Sequence, residues 1–406
     1  MTYGSWWTLL LILFILSLVL RYNMLFLFTV LLALASGASL LWYRYCLHGV
    51  TYGRKLRDER IFPGEETDLV IEVTNAKPLP LAWLLIRDSF PKGVSLLTGV
   101  LGSTQQQETS VLSLTDMLAL RWYERVQRIY RIRGDQRGVY SFGPVGLTSG
   151  DIFGFGYKNA IFEGTDRLVV YPRVVPVQQL GLPAERPAGE LRATRRVIED
   201  PLRMATVREY MPGDSIRYIH WKNTARLNQL QTKVFDPSAS RVLVVFVDLQ
   251  TAPNPYSYVS EYLELIICTA ASISVHALDI RLAVGLYVNG GPRDAGHWTV
   301  VAPGRSPGQG TQILDALAPL TGFRLLSLHQ LLRRSMTSLP YGSTVLAITA
   351  RATEPVLVSL LTLQDAGHPV VLLTVGEQEQ EAPAAFTTFH LGGRDAWHRL
   401  ETLELA

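Results

Sequence analysis

The segment Arg208-Glu209-Tyr210-Met211-Pro212-Gly213-Asp214-Ser215-Ile216-Arg217-Tyr218-Ile219-His220-Trp221-Lys222-Asn223-Thr224-Ala225-Arg226 crowds together groups that could do chemistry. Asp214 and His220 have the types of an acid–base pair, and Arg226 is clustered with them as a candidate for an enzyme's site. The same residues also have a structural reading. Pro212-Gly213-Asp214 is turn chemistry, with Asp214 placed to cap the segment that follows. Arg217, Trp221 and Arg226 carry planar groups suited to stacking and to bidentate pairing with carboxylates such as Glu209 and Asp214. No nucleophile–base constellation accompanies them, so the expectation is an ion-pair network and no catalytic residue.

The 406 residues carry a net charge of +3, which gives no general affinity for nucleic acid. Hydrophobic residues make up 48% of the chain, and a mean hydropathy of +0.16 is high for a soluble protein. The excess lies at the N-terminus. Trp6 to Leu20 is apolar apart from Thr8 and Ser17, and Met24 to Tyr43 matches the ~20 residues of a bilayer crossing. Arg21, Tyr22 and Asn23 form the turn between them. Without a basic leading segment the first run does not read as a signal peptide. Residues 1–45 are therefore expected to be two transmembrane helices. Arg44, Arg54, Lys55, Arg57 and Arg60 follow the second, against Arg21 in the turn, which places the body in the cytoplasm beneath a multi-pass anchor in the cell (inner) membrane. Cys46 and Cys268 stand alone, so neither a disulfide framework nor a zinc site is expected.

Residues 50–175 break into short alternating segments. In Asp68 to Thr74, Leu69, Ile71 and Val73 share one face; Ala82 to Asp88, Val94 to Leu97 and Val126 to Arg133 read as further strands, and together they imply a β-sandwich. The glycine-rich stretches Arg137 to Pro144 and Asp151 to Gly156 lack the Lys-Ser/Thr pair and helix start of a phosphate cradle. Arg121, Arg125, Arg128, Arg131 and Arg133 read as a solvated strand face, with a docking surface for acidic headgroups or an acidic partner as the alternative. Residues 176–240 are polar and Arg-rich, as in a linker. From 241 to 406 strands alternate with helices: Val242 to Val247, Val259 to Leu278, Ile280 to Val288, Thr311 to Leu320, Ser327 to Met336, Thr344 to Thr349, Thr353 to Gly367 and Val370 to Val375. That is a doubly wound α/β domain.

The order Arg208-Glu209-Tyr210, Pro212-Gly213-Asp214, Arg217-Tyr218-Ile219, Trp221-Lys222 and Ala225-Arg226 resembles the signature of the family called domain of unknown function 58. Arg137 to Pro144, Asp151 to Gly154 and Val170-Tyr171-Pro172 match the segment that precedes it there, so the resemblance spans roughly residues 50–400. His220 stands where the family usually carries an aspartate. The resemblance implies a von Willebrand factor A-like domain after the signature, a bacterial or archaeal setting, and a neighbourhood of MoxR-class AAA+ ATPases. It implies no activity.

In von Willebrand A domains a divalent cation binds at the strand ends through Asp-x-Ser-x-Ser, a later threonine and a later aspartate, all oxygen donors. Here Asp248 is present, but Gln250 and Ala252 replace the serines and Ala350 stands where the second aspartate is expected. Asp248, Thr251 and Thr311 make a degenerate site for which no metal is favoured. The leading expectation is a membrane-tethered, non-enzymatic docking protein working with a MoxR-class ATPase, with no cofactor, nucleic acid or small-molecule substrate. The alternatives are a magnesium-dependent ligand-binding module, and a cell-envelope enzyme built on His220, Asp214 and Arg226.

Overall fold

Two apolar helices open the chain, α1 (Tyr3–Leu20) and α2 (Asn23–Tyr45). Leucine, isoleucine and phenylalanine cover α1 all round, and most of both helices' side chains are exposed in this computed structural model. The structure describes residues 3–20, 22–99, 101–106, 109–152, 156–179, 199–211, 216–237, 242–254, 257–292, 296–380 and 383–404. The turn residue Arg21 lies outside them. The chain divides into two units, Met1–Tyr171 and Pro172–Ala406.

In the first unit, the strands are β1 (Val50–Leu56), β2 (Arg60–Ile61), β3 (Glu66–Asn75), β4 (Leu81–Phe90), β5 (Val94–Leu96), β6 (Leu101–Gln106), β7 (Thr109–Leu120), β8 (Arg125–Gly134), β9 (Gly138–Phe142), β10 (Val145–Gly150), β11 (Tyr157–Phe162) and β12 (Asp166–Val170). They form sheets ordered β1-β3-β8-β5 and β11-β10-β4-β7-β6, with a smaller sheet β2-β12-β9. Strict alternation builds the core. Leu69, Ile71 and Val73 point inward from β3 and meet Leu84 and Ile86 of β4, Leu147 of β10 and Ile132 of β8 in one apolar cluster. Two sheets sharing that cluster have the layering of a sandwich.

The arginines of this unit go two ways. Those along β8 are neutralised in place: Arg125 pairs with Glu72, Arg128 with Asp116 (3.7 Å), Arg131 with Asp68 (3.7 Å) and Arg133 with Asp135 (2.9 Å). Arg54, expected among the basic residues flanking the membrane, is instead buried in β1. Its Nη1 lies 2.6 Å from Asp88 and its Nε 2.7 Å from Asp166, while Nη2 donates to the carbonyls of Phe142 and Gly164. Burial opposes its charge, but the two carboxylates more than restore it. An internally neutralised guanidinium gives no weight to a count of flanking charges, so the expected sidedness would rest on Arg44, Lys55, Arg57 and Arg60, of which Arg57 is itself paired with Asp68 (3.5 Å).

In the second unit, the segment expected as a linker has elements of its own. They are β13 (Val177–Gln179), β14 (Glu199–Glu209), a 3-10 turn (Ile216–Tyr218), α3 (Trp221–Leu227) and β15 (Gln231–Pro237), and β14 and β15 pair antiparallel. There follow β16 (Val242–Val247), α4 (Ser260–Asp279), β17 (Ala283–Val288), β18 (Thr299–Gly304), α5 (Gln309–Leu317), α6 (Leu328–Ser335), β19 (Thr344–Thr349), α7 (Glu354–Asp365), β20 (Val370–Thr374), β21 (Thr387–His390), α8 (Arg394–Arg399) and β22 (Leu403–Glu404). Six strands form one sheet, β18-β17-β16-β19-β20-β21, parallel except for the edge strand β18. β16, β19 and β20 are buried on both faces, which is why they read as continuous apolar runs. Helices α6 and α7 cover one face, through Leu328, Leu331, Leu360 and Leu363 against Val244, Phe246 and Leu372. α4 is as long and apolar as a membrane span, but it is largely buried within this unit.

Several boundaries differ from expectation. β17 starts at Ala283 because Ile280 to Leu282 close α4, with Arg281 at φ 64° and the Ile280 N–H returning to the His276 carbonyl. Thr353 has the residue type of a helix cap but makes no side-chain cap bond at the start of α7, where Pro355 occupies the first turn. Ser327 and Gln330 form a capping box at α6 that the sequence reading did not single out.

Candidate functional site

Asp248 is the first residue beyond the carboxyl end of β16, where open α/β sheets place their ligands. Its side chain is buried and fully engaged. Oδ1 accepts from Asn289 Nδ2 (2.6 Å) and from the Gln250 N–H (3.0 Å), and Oδ2 accepts from Thr349 Oγ1 (2.7 Å). Asn289 follows β17 and Thr349 ends β19, so three neighbouring strands each contribute one group. Asn289 Oδ1 accepts the Leu249 N–H (2.9 Å), and Thr349 Oγ1 accepts the Arg351 N–H (2.9 Å). Burial raises the Asp248 pKa above the usual carboxylate range, against the pull of Thr349, Gln250, Asn289 and the Arg324 guanidinium.

The other two expected site residues do not join this cluster through any hydrogen bond. Thr251 Oγ1 accepts the Val259 N–H (2.8 Å) and so ties the loop to the start of α4. Thr311 is exposed on α5. Two residues before it, Gln309 donates to the carbonyls of Val284 and Ala302 (2.8 Å each), near the amino end of β17. Asp248 lies past the carboxyl end, since Val247 pairs with Val288. Thr311 is therefore toward the opposite end of the sheet. A divalent ion of the von Willebrand A type would find one carboxylate whose oxygens already accept protein donors, and hard cations need six or more oxygens. The residues do not fit such an ion. Among the described residues no group of His, Cys, Asp and Glu could hold a metal.

The signature segment builds a different kind of site. Pro212, Gly213 and Asp214 lie outside the described residues. Arg208, the last but one residue of β14, donates to the Glu209 carbonyl (3.0 Å), and the Tyr210 N–H bonds to the Leu230 carbonyl (2.9 Å). Ile219 is the buried anchor of the segment and bridges to Thr232. The rest turns outward. Trp221 is 65% exposed, and Arg217, Ala225 and Arg226 are exposed beside it. Met211, Ile216, Leu227 and Leu230 add further exposed apolar surface. Ion pairing with Glu209 was expected, but among the described residues no ion pair joins Arg217 or Arg226 to it.

His220 has a positioning task that explains why an aspartate would serve in its place. Its Nδ1 accepts the Asn223 N–H (3.1 Å), and its backbone N–H donates to the Gln231 carbonyl (2.7 Å). It caps α3, as an aspartate does at such a position. His220→Ala is expected to cost about 1 kcal/mol of local stability. Hydrogen exchange over residues 221–227 should speed up in that variant and stay near the native rate in His220→Asp. Equal rates in all three would remove the capping role.

The geometry thus defines a multidomain protein with an apolar helix pair, sheet-rich units and an exposed aromatic and basic face. A family model described as "Protein of unknown function DUF58" matches residues 206–301, from the signature through β17. That is narrower than the roughly 50–400 span of the sequence resemblance. The chain is similar to the "Uncharacterized protein YeaD" of Bacillus subtilis (strain 168), at 26% identity over 251 residues, covering 60% of this chain and 56% of that protein. Among solved structures, the CARDB domain of the PF1109 protein from Pyrococcus furiosus covers 30% of this chain and 91% of its own, at 12% identity and a TM-score of 0.20. A cohesin module from Clostridium perfringens covers 30% and 96%, at 7% identity and 0.21. Similarities at that level carry no argument about function.

Proposed function

We propose that this chain is a membrane-tethered, non-enzymatic docking protein whose signature face binds a partner protein. The observation that carries the reading is the outward turn of Arg217, Trp221, Ala225 and Arg226, with Trp221 65% exposed. Catalytic groups converge on a shared cavity, whereas tryptophan and arginine on an open face are the residues that dominate protein–protein binding. α1 and α2 supply the tether, with the body on the cytoplasmic side, and α/β topology is consistent with a von Willebrand A-like module. The favoured partner is an acidic surface on a MoxR-class AAA+ ATPase. No metal is invoked, because Asp248 is occupied by Asn289, Thr349 and Gln250.

The test is capture of a purified MoxR-class ATPase, encoded beside this gene, by the full chain in lipid nanodiscs. Trp221→Ala together with Arg217→Glu should weaken capture at least about tenfold, since two hot-spot losses exceed ~1.4 kcal/mol. No capture by the native chain, or undiminished capture by the double variant, would count against the reading.

A further inference from the structure

The end of the sandwich from which α2 enters has a surface whose composition differs from the rest. Four connections meet there: the passage from α2 into β1, the β3–β4 turn, the β7–β8 turn and the β10–β11 turn. Their adjacency follows from register, since Val50 pairs with Asn75, Thr74 with Arg125, Leu81 with Leu120 and Gly150 with Tyr157.

α2 is clamped into this end rather than hung from it. Ser39 Oγ donates to Asp151 Oδ2 (2.6 Å), and the Lys77 ammonium donates to the Cys46 carbonyl (2.8 Å), placing a cation at the carboxyl end of the helix. The Tyr123 N–H bonds to the Lys77 carbonyl (3.3 Å), which ties the β7–β8 turn to the same spot.

The clamp fixes depth. A span of ~20 residues starting at Met24 ends near Tyr43. Ser39 lies four residues earlier, about 6 Å deeper along the helix axis. The turn holding Asp151 must therefore reach at least the headgroup layer. Its neighbours suit that layer: Ile152 is 57% exposed, Tyr157 67%, Trp122 66% and Tyr123 69%. Aromatic side chains with one polar edge are the usual occupants of a membrane interface. Arg44, Arg121 and Lys158 are exposed among them. Of the carboxylates here, Asp151 is buried and accepts from Ser39 and the Gly156 N–H, and the half-buried Glu124 accepts the Arg121 N–H. Among the described residues, the exposed side chains here are mainly aromatic and cationic.

We infer that this end of the sandwich is a membrane-contact surface that seats in the headgroup layer of an anionic leaflet, with Trp122, Ile152 and Tyr157 at the interface and Arg121 and Lys158 on lipid phosphates. The inference rests on the reading of α1 and α2 as a membrane anchor. It adds a second contact that fixes the sandwich against the bilayer instead of leaving it on a leash.

The experiment uses the full chain in phosphatidylcholine vesicles with and without phosphatidylglycerol. Nitroxide labels go on Trp122→Cys and Tyr157→Cys, in a background whose two native cysteines are buried. Leu34→Cys on α2 and Lys92→Cys, in the turn after β4 at the other end of that strand, are the references. Labels at 122 and 157 should lose most collisions with an aqueous nickel chelate and gain collisions with membrane-dissolved oxygen, while Lys92→Cys stays aqueous. The protection should fall in vesicles lacking phosphatidylglycerol and in the Arg121→Glu, Lys158→Glu double variant. Lipid-exposed Leu34→Cys with fully aqueous labels at 122 and 157 overturns the contact surface and leaves the anchor standing. An aqueous Leu34→Cys overturns the anchor itself. Equal protection in both lipids overturns the anionic preference.

Discussion

Arg54→Met is expected to destabilise the first unit by about 3–5 kcal/mol, because it strands a buried carboxylate. The Arg54 and Asp88 side chains are each 2% exposed. With the guanidinium gone, Asp88 keeps only the Tyr52 hydroxyl (2.8 Å) among its side-chain partners, and the carbonyls of Phe142 and Gly164 lose their donor. Asp166 suffers less, since its side chain is 41% exposed and water can replace the pair. At roughly 2–4 °C per kcal/mol for a unit of this size, the unfolding midpoint should fall by about 10 °C. The readout is thermal unfolding of the full chain in micelles, with hydrogen exchange over β1 and β4 to assign the loss to this unit. Arg54→Met with Asp88→Leu removes both charges and should recover most of it, since replacing a buried pair by apolar side chains is often neutral. A midpoint unchanged within error in the single variant would mean Arg54 is a surface charge after all. It would then return to the residues that bias orientation, where a substitution of this kind costs under ~0.5 kcal/mol.

Arg54 also shows where reading the sequence stops. Its partners lie 34 and 112 residues away, so its neighbours in sequence, Lys55 and Arg57, made it look like one of a basic cluster. The elements that were legible announce themselves locally. Leu69, Ile71 and Val73 alternate with polar residues, and Val242 to Val247 and Thr344 to Thr349 are runs that only a strand covered on both faces tolerates. Within the six-stranded sheet domain, the unread β18 and β21 sit at the sheet edges and the unread α8 is short, and Pro303 in β18 speaks against a strand unless that strand is an edge. Within the candidate site, Asp248 could be picked out from its place after β16. Asn289 and Thr349 could not, because 41 and 101 residues separate them from it. Their one local signal is a polar residue closing an apolar strand. His220 reads in the sequence as half of an acid–base pair with Asp214; only its distance to the Asn223 N–H reveals the cap.

Asp248 separates a structural strut from a ligand site by the chemistry of its replacements. Asp248→Leu is expected to cost about 3–5 kcal/mol, because Asn289 Nδ2, Thr349 Oγ1 and the Gln250 N–H would all lose an acceptor in a buried setting. Asp248→Asn keeps the size and one acceptor oxygen, and the Thr349 hydroxyl can turn its hydrogen away and accept from the new amide, so its cost should stay near ~1 kcal/mol. The two variants should also differ from the native chain in their response to pH. Burial raises the folded-state pKa of this carboxyl. Its contribution to stability is then fully present below the ordinary carboxylate range and is lost as pH rises through the raised value. Asp248→Asn does not titrate, so its stability relative to the native chain should improve between about pH 4 and about pH 8. Urea unfolding of the full chain at the two pH values, followed by hydrogen exchange over β16 and β19, measures both quantities. A relative stability that does not move with pH would mean that the carboxylate is as well accommodated charged as neutral. If Asp248→Asn instead proved as damaging as Asp248→Leu, the negative charge itself would be what this end of the sheet requires, and a cation bound there would have to be reconsidered.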